Sequence, residues 1–147
     1  MYMLRRFAAA AMLIGLPMAL AAQTSVVQPN ELDARLRAQG EQPAILYVGF
    51  AAGYRAGHIP GAVFAGPAES AEGLKTLTAA AMGLPRDREI IVYCGCCPWD
   101  SCPNVRPALV LLRQMGFTRV KALVLQNNFA ADWVARGYPV DPPAPKP

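Results

Sequence analysis

Two short segments constrain the fold of this chain most strongly. Ala44–Val48 is an unbroken apolar run directly after Pro43, and Glu89–Tyr93 is rich in β-branched residues. Both segments are shorter than an ordinary helix, and their composition is typical of strands that are buried on both faces. We therefore predict two central strands, with a third strand over residues 120–125.

Helical patterns lie before, between and after these strands. The predicted helices cover residues 29–39, 71–84, 105–115 and 129–136. In the first of them Asn30 is the expected N-cap, and Leu32 and Leu36 share one face. Strands that alternate with helices predict one α/β domain, with a central parallel sheet and helices on both faces.

The first 22 residues have the pattern of a secretory signal peptide. Arg5 and Arg6 precede a mostly apolar run that is short for a bilayer span, and small residues follow it. We predict a signal peptide at 1–22, the folded domain at 23–140 and a Pro-rich tail at 141–147. The expected location is outside the cytoplasm, in the periplasm, with no stable membrane association after signal cleavage.

The charge balance argues against nucleic acid as a partner. The chain has 14 Lys and Arg against 10 Asp and Glu, and removal of Arg5 and Arg6 leaves an excess of only two positive charges. No cluster of basic residues with interleaved aromatic residues is present. Export also changes how the four cysteines are interpreted, because an oxidising compartment permits disulfides.

All four cysteines lie in the loop 94–104, between a predicted strand and a predicted helix. Cys94 directly follows the strand, and ligands of open α/β sheets bind at the carboxyl ends of the strands. The amides of such a loop, together with the N-terminus of the next helix, favour an anion and lower a thiol pKa. Arg106, in the first helical turn, adds a charge that can hold an oxyanion. The plainer alternative is that the cysteines only form disulfides.

A second motif, Gly57-His58-Ile59-Pro60-Gly61-Ala62, follows the first predicted strand. Pro60-Gly61 is a tight-turn signal, and His58 fits a buried structural imidazole. The motif resembles the signature of the rhodanese-like family, in which it serves the fold. We therefore assign structural roles to His58, Pro60 and Gly61, although His58 is the only histidine.

The closing segment agrees with this resemblance. Asn127-Asn128 precedes a helix that contains Trp133, and Gly137-Tyr138-Pro139-Val140 follows it. This order is similar to the family's Gly-Gly turn, Trp-containing helix and Gly-x-Pro-Val end. Asn is an acceptable substitute for Gly in such a turn because it tolerates left-handed backbone angles. The resemblance, which runs in order from about residue 29 to residue 140, implies a rhodanese-like fold.

The resemblance also implies an activity. Cys94 falls at the position of the family's active-site cysteine, and the implied protein is a sulfurtransferase. The Cys94 thiolate takes sulfane sulfur from a small sulfur-containing donor such as thiosulfate and becomes a persulfide. A thiol acceptor or cyanide then removes that sulfur, while loop amides stabilise the negative charge. This reaction requires no cofactor.

The loop of this chain departs from the family pattern. Arg106 comes twelve positions after Cys94, and three further cysteines lie between them: Cys96, Cys97 and Cys102. One of these is expected to act as a resolving cysteine, forming a disulfide with Cys94. Two alternatives on the same fold stay open: a thiol–disulfide redox protein, and a protein that binds a soft metal such as Cu(I) or Zn. The adjacent Cys96-Cys97 pair does not match the spacing of structural zinc sites, so we assign no metal ligands.

Overall fold

The computed structural model describes residues 25–141, so the predicted signal peptide and the prolines of the predicted tail lie outside the described residues. The strands are β1 (Val26–Val27), β2 (Ala44–Tyr47), β3 (Val63–Phe64), β4 (Glu89–Tyr93) and β5 (Arg119–Leu123). The helices are α1 (Pro29–Arg37), α2 (Ala51–Ala56), α3 (Ala71–Ala81), α4 (Val105–Gln114) and α5 (Phe129–Asp132), and a 3₁₀ turn follows at Val134–Arg136.

The five strands form one parallel sheet in the order β1-β5-β4-β2-β3. β4 is the central strand, and its last residue, Tyr93, pairs with Tyr47 at the end of β2. Because all strands run the same way, their carboxyl ends meet at one edge of the sheet. Cys94 follows β4 at that edge, in the middle of the sheet.

Both faces of the sheet are covered, as the sequence predicted. Ile90 and Val92 of β4 pack into a core that also contains α3 and α4 side chains. Ile91 and Tyr93 point to the opposite face, whose core is completed by α1 and α5. The alternation follows from the two-residue period of a strand, and it explains why the buried segments lack the usual alternating polar residues.

The first helix has a different N-cap from the one predicted. Gln28, not Asn30, is the N-cap, and Pro29 occupies the first helical position. A proline suits that position because its missing N–H has no partner there and its φ is already helical. The Gln28 N–H donates to Glu31 at 2.9 Å, so the start of the helix is fixed by residues that flank the proline.

The Asn127-Asn128 turn forms for a different reason from the one predicted. Asn128 has φ of −169°, which is extended, and no non-glycine residue in the described part of the chain has a positive φ. Its side chain instead caps α5 by accepting a hydrogen bond from the Ala131 N–H at 2.9 Å. The helix predicted over 129–136 ends at Asp132 and continues only as the 3₁₀ turn, which Gly137 closes in the left-handed conformation.

The turn at Ile59-Pro60-Gly61-Ala62 supports the strand that precedes Cys94. Gly61 adopts a φ of +76°, and the Ala62 N–H donates to the Ile59 carbonyl at 2.9 Å. The Ile59 N–H donates to the Tyr93 hydroxyl at 3.0 Å, which ties this turn to the end of β4. Within residues 25–141, none of the helices has the length and apolar character needed to cross a membrane.

Candidate active site in the cysteine-rich loop

The loop 94–104 leaves the carboxyl end of β4 and returns to the start of α4. Two backbone hydrogen bonds hold it against neighbouring segments. The Trp99 N–H donates to the Leu125 carbonyl at 2.9 Å, and the Phe129 N–H donates to the Gly95 carbonyl at 3.1 Å. The first half of the loop, which contains Cys96 and Cys97, is therefore held in place.

The structure brings the predicted cysteines into one cluster. The Cys94 Sγ lies 3.4 Å from the Cys96 Sγ, and the Cys96 Sγ lies 2.8 Å from the Cys97 Sγ. The sulfurs of Cys94, Cys96 and Cys102 all lie within 4.8 Å of one another. All four cysteines are free thiols; Cys94 and Cys102 are buried, whereas Cys96 is exposed. The exposed thiol thus lies between solvent and two buried ones.

The thiol whose pKa is lowered in this loop is that of Cys102. A hydrogen bond from the Cys94 thiol is the largest cause of the lower pKa, and the N–H groups of Asn104 and Val105 add to it. Burial opposes the shift, but the pKa of Cys102 still falls to about 5. The same hydrogen bond, together with burial, raises the pKa of Cys94. Because amides at the start of α4 face Cys102, the negative charge of the pair rests on Cys102.

Asn104 is a site residue that the sequence analysis missed. Its side chain is fully buried, its Nδ2 donates to the Cys94 Sγ at 3.8 Å, and its Oδ1 accepts from the Glu69 N–H at 2.9 Å. An Asn directly before a helix is normally interpreted as an N-cap, and that position was the available signal. Here the side chain makes no capping bond to the helix and joins two loops instead.

Two glycines make room for the sulfur cluster. A Cβ on Gly49 would lie 2.9 Å from the Cys94 Sγ and 2.9 Å from the Tyr47 hydroxyl oxygen. A Cβ on Gly53 would also collide with that hydroxyl. Burial raises the pKa of Tyr47 to about 12, so its hydroxyl is a neutral neighbour of the cysteines.

An apolar cavity of about 500 Å³ opens beside the loop. Its walls include aromatic rings, aliphatic side chains and one thiol: Tyr47, Phe50, Phe129, Val134, Val140 and Cys96. No charged side chain is among its lining residues within the described part of the chain. Cys96 therefore faces a cavity of apolar character, and Cys94 lies behind it.

Two of the other predicted site residues, Arg106 and His58, make no bond to the sulfur cluster in the described part of the chain. Arg106 is exposed on the first turn of α4 and does not line the cavity. His58 donates from Nδ1 to the Tyr54 carbonyl at 2.9 Å, and its ring stacks on the Tyr54 ring with 3.9 Å between the ring centroids. None of the hydrogen bonds of His58 or Arg106 recorded for residues 25–141 reaches a cysteine.

A strand–loop–helix site of this kind, centred on a cysteine at the edge of a parallel sheet, defines a class of α/β thiol proteins. Within that class the sequence profile of the rhodanese-like domain matches residues 28–125. The match covers more than half of the chain. The chain belongs to the rhodanese-like domain family.

Solved structures have the same fold. The chain is similar to the Alr3790 protein from Anabaena sp., with 28% identity and a TM-score of 0.61 over 79% of this chain and 82% of that one. The BH2092 protein from Bacillus halodurans aligns with 22% identity and a TM-score of 0.62 over 81% and 77% of the two chains. A thiosulfate sulfurtransferase from Pseudomonas aeruginosa aligns with 22% identity and a TM-score of 0.60 over 82% of this chain, which spans only 21% of that enzyme. Comparison with curated proteins returns no match.

Proposed function

We propose that this chain is a sulfurtransferase in which Cys94 carries sulfane sulfur as a persulfide and Cys102 accepts the Cys94 proton. The observation that carries the proposal is the proximity of two buried sulfurs, those of Cys94 at the end of β4 and Cys102 just before α4, which lie within 4.8 Å of each other. A buried thiol is a poor nucleophile until it loses its proton, because the thiolate is the reactive form. The Cys102 thiolate, whose sulfur lies within 4.8 Å of the Cys94 sulfur, supplies a base beside it.

In the capture step, the Cys94 sulfur attacks the outer sulfur of a donor such as thiosulfate while the Cys94 proton passes to the Cys102 thiolate. The new bond joins the Cys94 sulfur to the transferred sulfur, and the sulfur–sulfur bond of thiosulfate breaks. The bonding pair leaves with sulfite, so no outside oxidant or reductant is needed. The Asn104 amide and the Cys96 N–H, which donate to the Cys94 sulfur, stabilise charge on it.

In the release step, an acceptor thiolate attacks the outer sulfur of the Cys94 persulfide. The acceptor becomes a persulfide, and the bonding pair returns to Cys94. Cys94 then recovers its proton from Cys102, which restores the starting pair. The alignment with a thiosulfate sulfurtransferase, together with family membership, supports this reaction class.

The proposal is tested by intact-mass measurement after thiosulfate treatment of the reduced protein, followed by peptide mapping. We expect one added sulfur on Cys94 and none in Cys94→Ser. Cys97→Ser is the matched control, because burial raises the pKa of Cys97 to about 12 and leaves it a poor nucleophile. Retained sulfur transfer in Cys94→Ser contradicts the proposal.

The 3.4 Å separation of the Cys94 and Cys96 sulfurs favours a second candidate, thiol–disulfide redox chemistry. Here the Cys96 thiolate attacks the inner sulfur of a Cys94 persulfide, which forms a Cys94–Cys96 disulfide and releases hydrosulfide. This candidate predicts a reversible disulfide and sulfide release, with little sulfur delivered to an acceptor. The distances within 4.8 Å also suit a soft ion, an alternative that metal analysis of the purified protein tests.

We also propose that the protein works outside the cytoplasm, on the basis of the signal-peptide pattern in residues 1–22. Fractionation of cells that produce the full chain tests this location. Accumulation of the intact chain in the cytoplasmic fraction contradicts it.

A further inference from the structure

The cysteine that faces the apolar cavity is not the one that we propose carries the sulfur. Cys96 lines the cavity and is exposed, whereas Cys94 is only 3% exposed and does not line it. The two sulfurs lie 3.4 Å apart. An acceptor in the cavity therefore meets Cys96 first, and a Cys94 persulfide lies within reach of the Cys96 sulfur.

The cavity is lined by apolar side chains, and several of them are exposed to solvent. Phe50 and Val134, which lie in its wall, are 53% and 47% exposed and are among the most exposed large apolar side chains of the described residues. Exposed apolar side chains grouped around a concave site mark a place where a ligand is bound. A charged ligand would lose hydration there without gaining a partner, because no charged side chain lines the cavity.

We infer that Cys96 relays sulfur from Cys94 to an acceptor thiol whose uncharged, apolar body is bound in this cavity. The inference rests on the proposed function, since it needs a persulfide on Cys94. To the proposed function it adds Cys96 as a second residue that carries sulfur, and it names the acceptor as an apolar thiol. An apolar organic thiol fits the walls better than a thiol of similar size that carries a carboxylate.

The relay consists of two exchanges that balance without a further reactant. The Cys96 thiolate attacks the outer sulfur of the Cys94 persulfide, so a bond forms to Cys96 and the bonding pair returns to Cys94. The acceptor thiolate then attacks the outer sulfur on Cys96, and the bonding pair returns to Cys96. The attack on the outer sulfur distinguishes the relay from the redox candidate, in which Cys96 attacks the inner sulfur.

The acceptor class is tested with two aromatic thiols of similar size. 4-Methylbenzenethiol carries a neutral methyl group, and 4-mercaptobenzoate carries a carboxylate at the same ring position. Protein loaded with one sulfur by thiosulfate is mixed with each thiol, and kcat/KM for sulfur release is measured. We expect the neutral thiol to react at least about tenfold faster, since apolar pockets discriminate by about this factor for a single group.

Two substitutions of equally exposed valines test the cavity itself. Val134→Asp places a carboxylate in the wall and is expected to reduce kcat/KM for 4-methylbenzenethiol about tenfold. Val110→Asp is the matched control, because Val110 is 45% exposed on α4 and does not line the cavity. Equal rates for the two thiols, or equal effects of the two substitutions, overturn the assignment of the acceptor.

The relay is tested separately by trapping and by Cys96→Ser. Rapid alkylation of the loaded protein, followed by peptide mapping, is expected to find the single added sulfur on Cys94 in most molecules and on Cys96 in the others. Cys96→Ser is expected to load on Cys94 but to lose most transfer to 4-methylbenzenethiol. Full transfer by Cys96→Ser overturns the relay while the proposed function stands; failure of the unsubstituted protein to load any sulfur overturns the proposed function itself.

Discussion

The Asn104 amide joins the sulfur of Cys94 to the loop that precedes α3. Its Nδ2 lies 3.8 Å from the Cys94 Sγ, and its Oδ1 accepts from the Glu69 N–H at 2.9 Å. Both bonds form inside the protein, because Asn104 is fully buried. The amide therefore positions the proposed sulfur carrier and satisfies a backbone donor of a separate loop.

Asn104→Ala is expected to weaken both stability and sulfur capture. The substitution leaves the Glu69 N–H without its partner, which lowers the free energy of unfolding by about 1–3 kcal/mol. Loss of the donor to Cys94 is expected to slow persulfide formation about tenfold. Chemical denaturation and single-turnover reaction with thiosulfate measure the two effects.

Asn30→Ala is the control for this prediction, since Asn30 is exposed on α1. It is expected to change neither quantity measurably. A stable Asn104→Ala protein that captures sulfur at the unsubstituted rate contradicts the positioning role.

Gly49 is expected to be intolerant of a side chain. Gly49→Ala places a methyl group 2.9 Å from both the Cys94 Sγ and the Tyr47 hydroxyl oxygen, which is closer than real Cβ contacts. Overpacking of this kind costs about 1–3 kcal/mol and displaces the sulfur from its base. We expect a lower melting temperature together with slower thiosulfate capture.

Gly83→Ala provides the comparison, because a Cβ on Gly83 meets nothing within 4 Å. It is expected to leave capture unchanged and stability equal or slightly higher. Indistinguishable behaviour of Gly49→Ala and Gly83→Ala would show that the sulfur cluster has more space than the distances indicate.

The two central strands were predictable because nearly all of their residues are buried and apolar or β-branched. Ala44–Val48 and Glu89–Tyr93 are recognisable from composition alone, and the structure has strands at both places. β1 and β3 were missed since each has only two residues, too few for a pattern. Their pairing partners lie far away in the chain, so their formation depends on the assembled sheet.

The site was only partly predictable. The sequence placed all four cysteines in one loop at the end of a central strand, and the structure has them there. Which thiol carries the charge depends on the path of the loop, since that path brings Cys102, and not Cys94, to the amides of Asn104 and Val105. The cavity depends on side chains from β2, α5 and the segment after it, which no local pattern connects.

The pH dependence of sulfur capture follows from Cys102. Its pKa is lowered to about 5, so the thiolate that takes the Cys94 proton is present above that pH and lost below it. The capture rate is expected to rise through pH 5 and to be level at neutral pH. If the pKa of Cys102 had its ordinary value of 9.0, the capture rate would instead keep rising above neutral pH.

Cys102→Ser removes this base. We expect capture at pH 7 to fall about 100-fold, which is typical for loss of a general base. The residual rate is expected to increase with pH into the alkaline range, because Cys94 must then ionise without a partner. A profile from stopped-flow reaction with thiosulfate that is the same for both proteins argues against Cys102 as the base.

Glu89 lies at the opposite end of β4 from Cys94. We expect it to determine how the stability of the fold changes in acid. Its buried carboxylate is bound by Arg35, by Lys121 at 2.8 Å and by Arg119 at 3.5 Å. The hydrogen bond from Arg35 is the main reason that the pKa of Glu89 falls from 4.5 to about 2. A pKa that is lower in the folded state contributes stability above pH 4.5, and that contribution is lost as the pH falls towards 2.

Glu89→Gln is expected to lower the free energy of unfolding at pH 7 by about 2 kcal/mol, less than the full shift would give because Arg35 and Lys121 are partly exposed. The difference from the unsubstituted protein should shrink as the pH is lowered from 4.5 towards 2. Glu72→Gln is the matched control: its pair with Lys75 at 3.1 Å is exposed and is worth at most about 0.5 kcal/mol. Sulfur capture should be unaffected by Glu89→Gln while the protein stays folded, because Glu89 and Cys94 lie at opposite ends of β4. Equal stabilities of the two variants across this pH range would contradict a structural role for the Glu89 cluster.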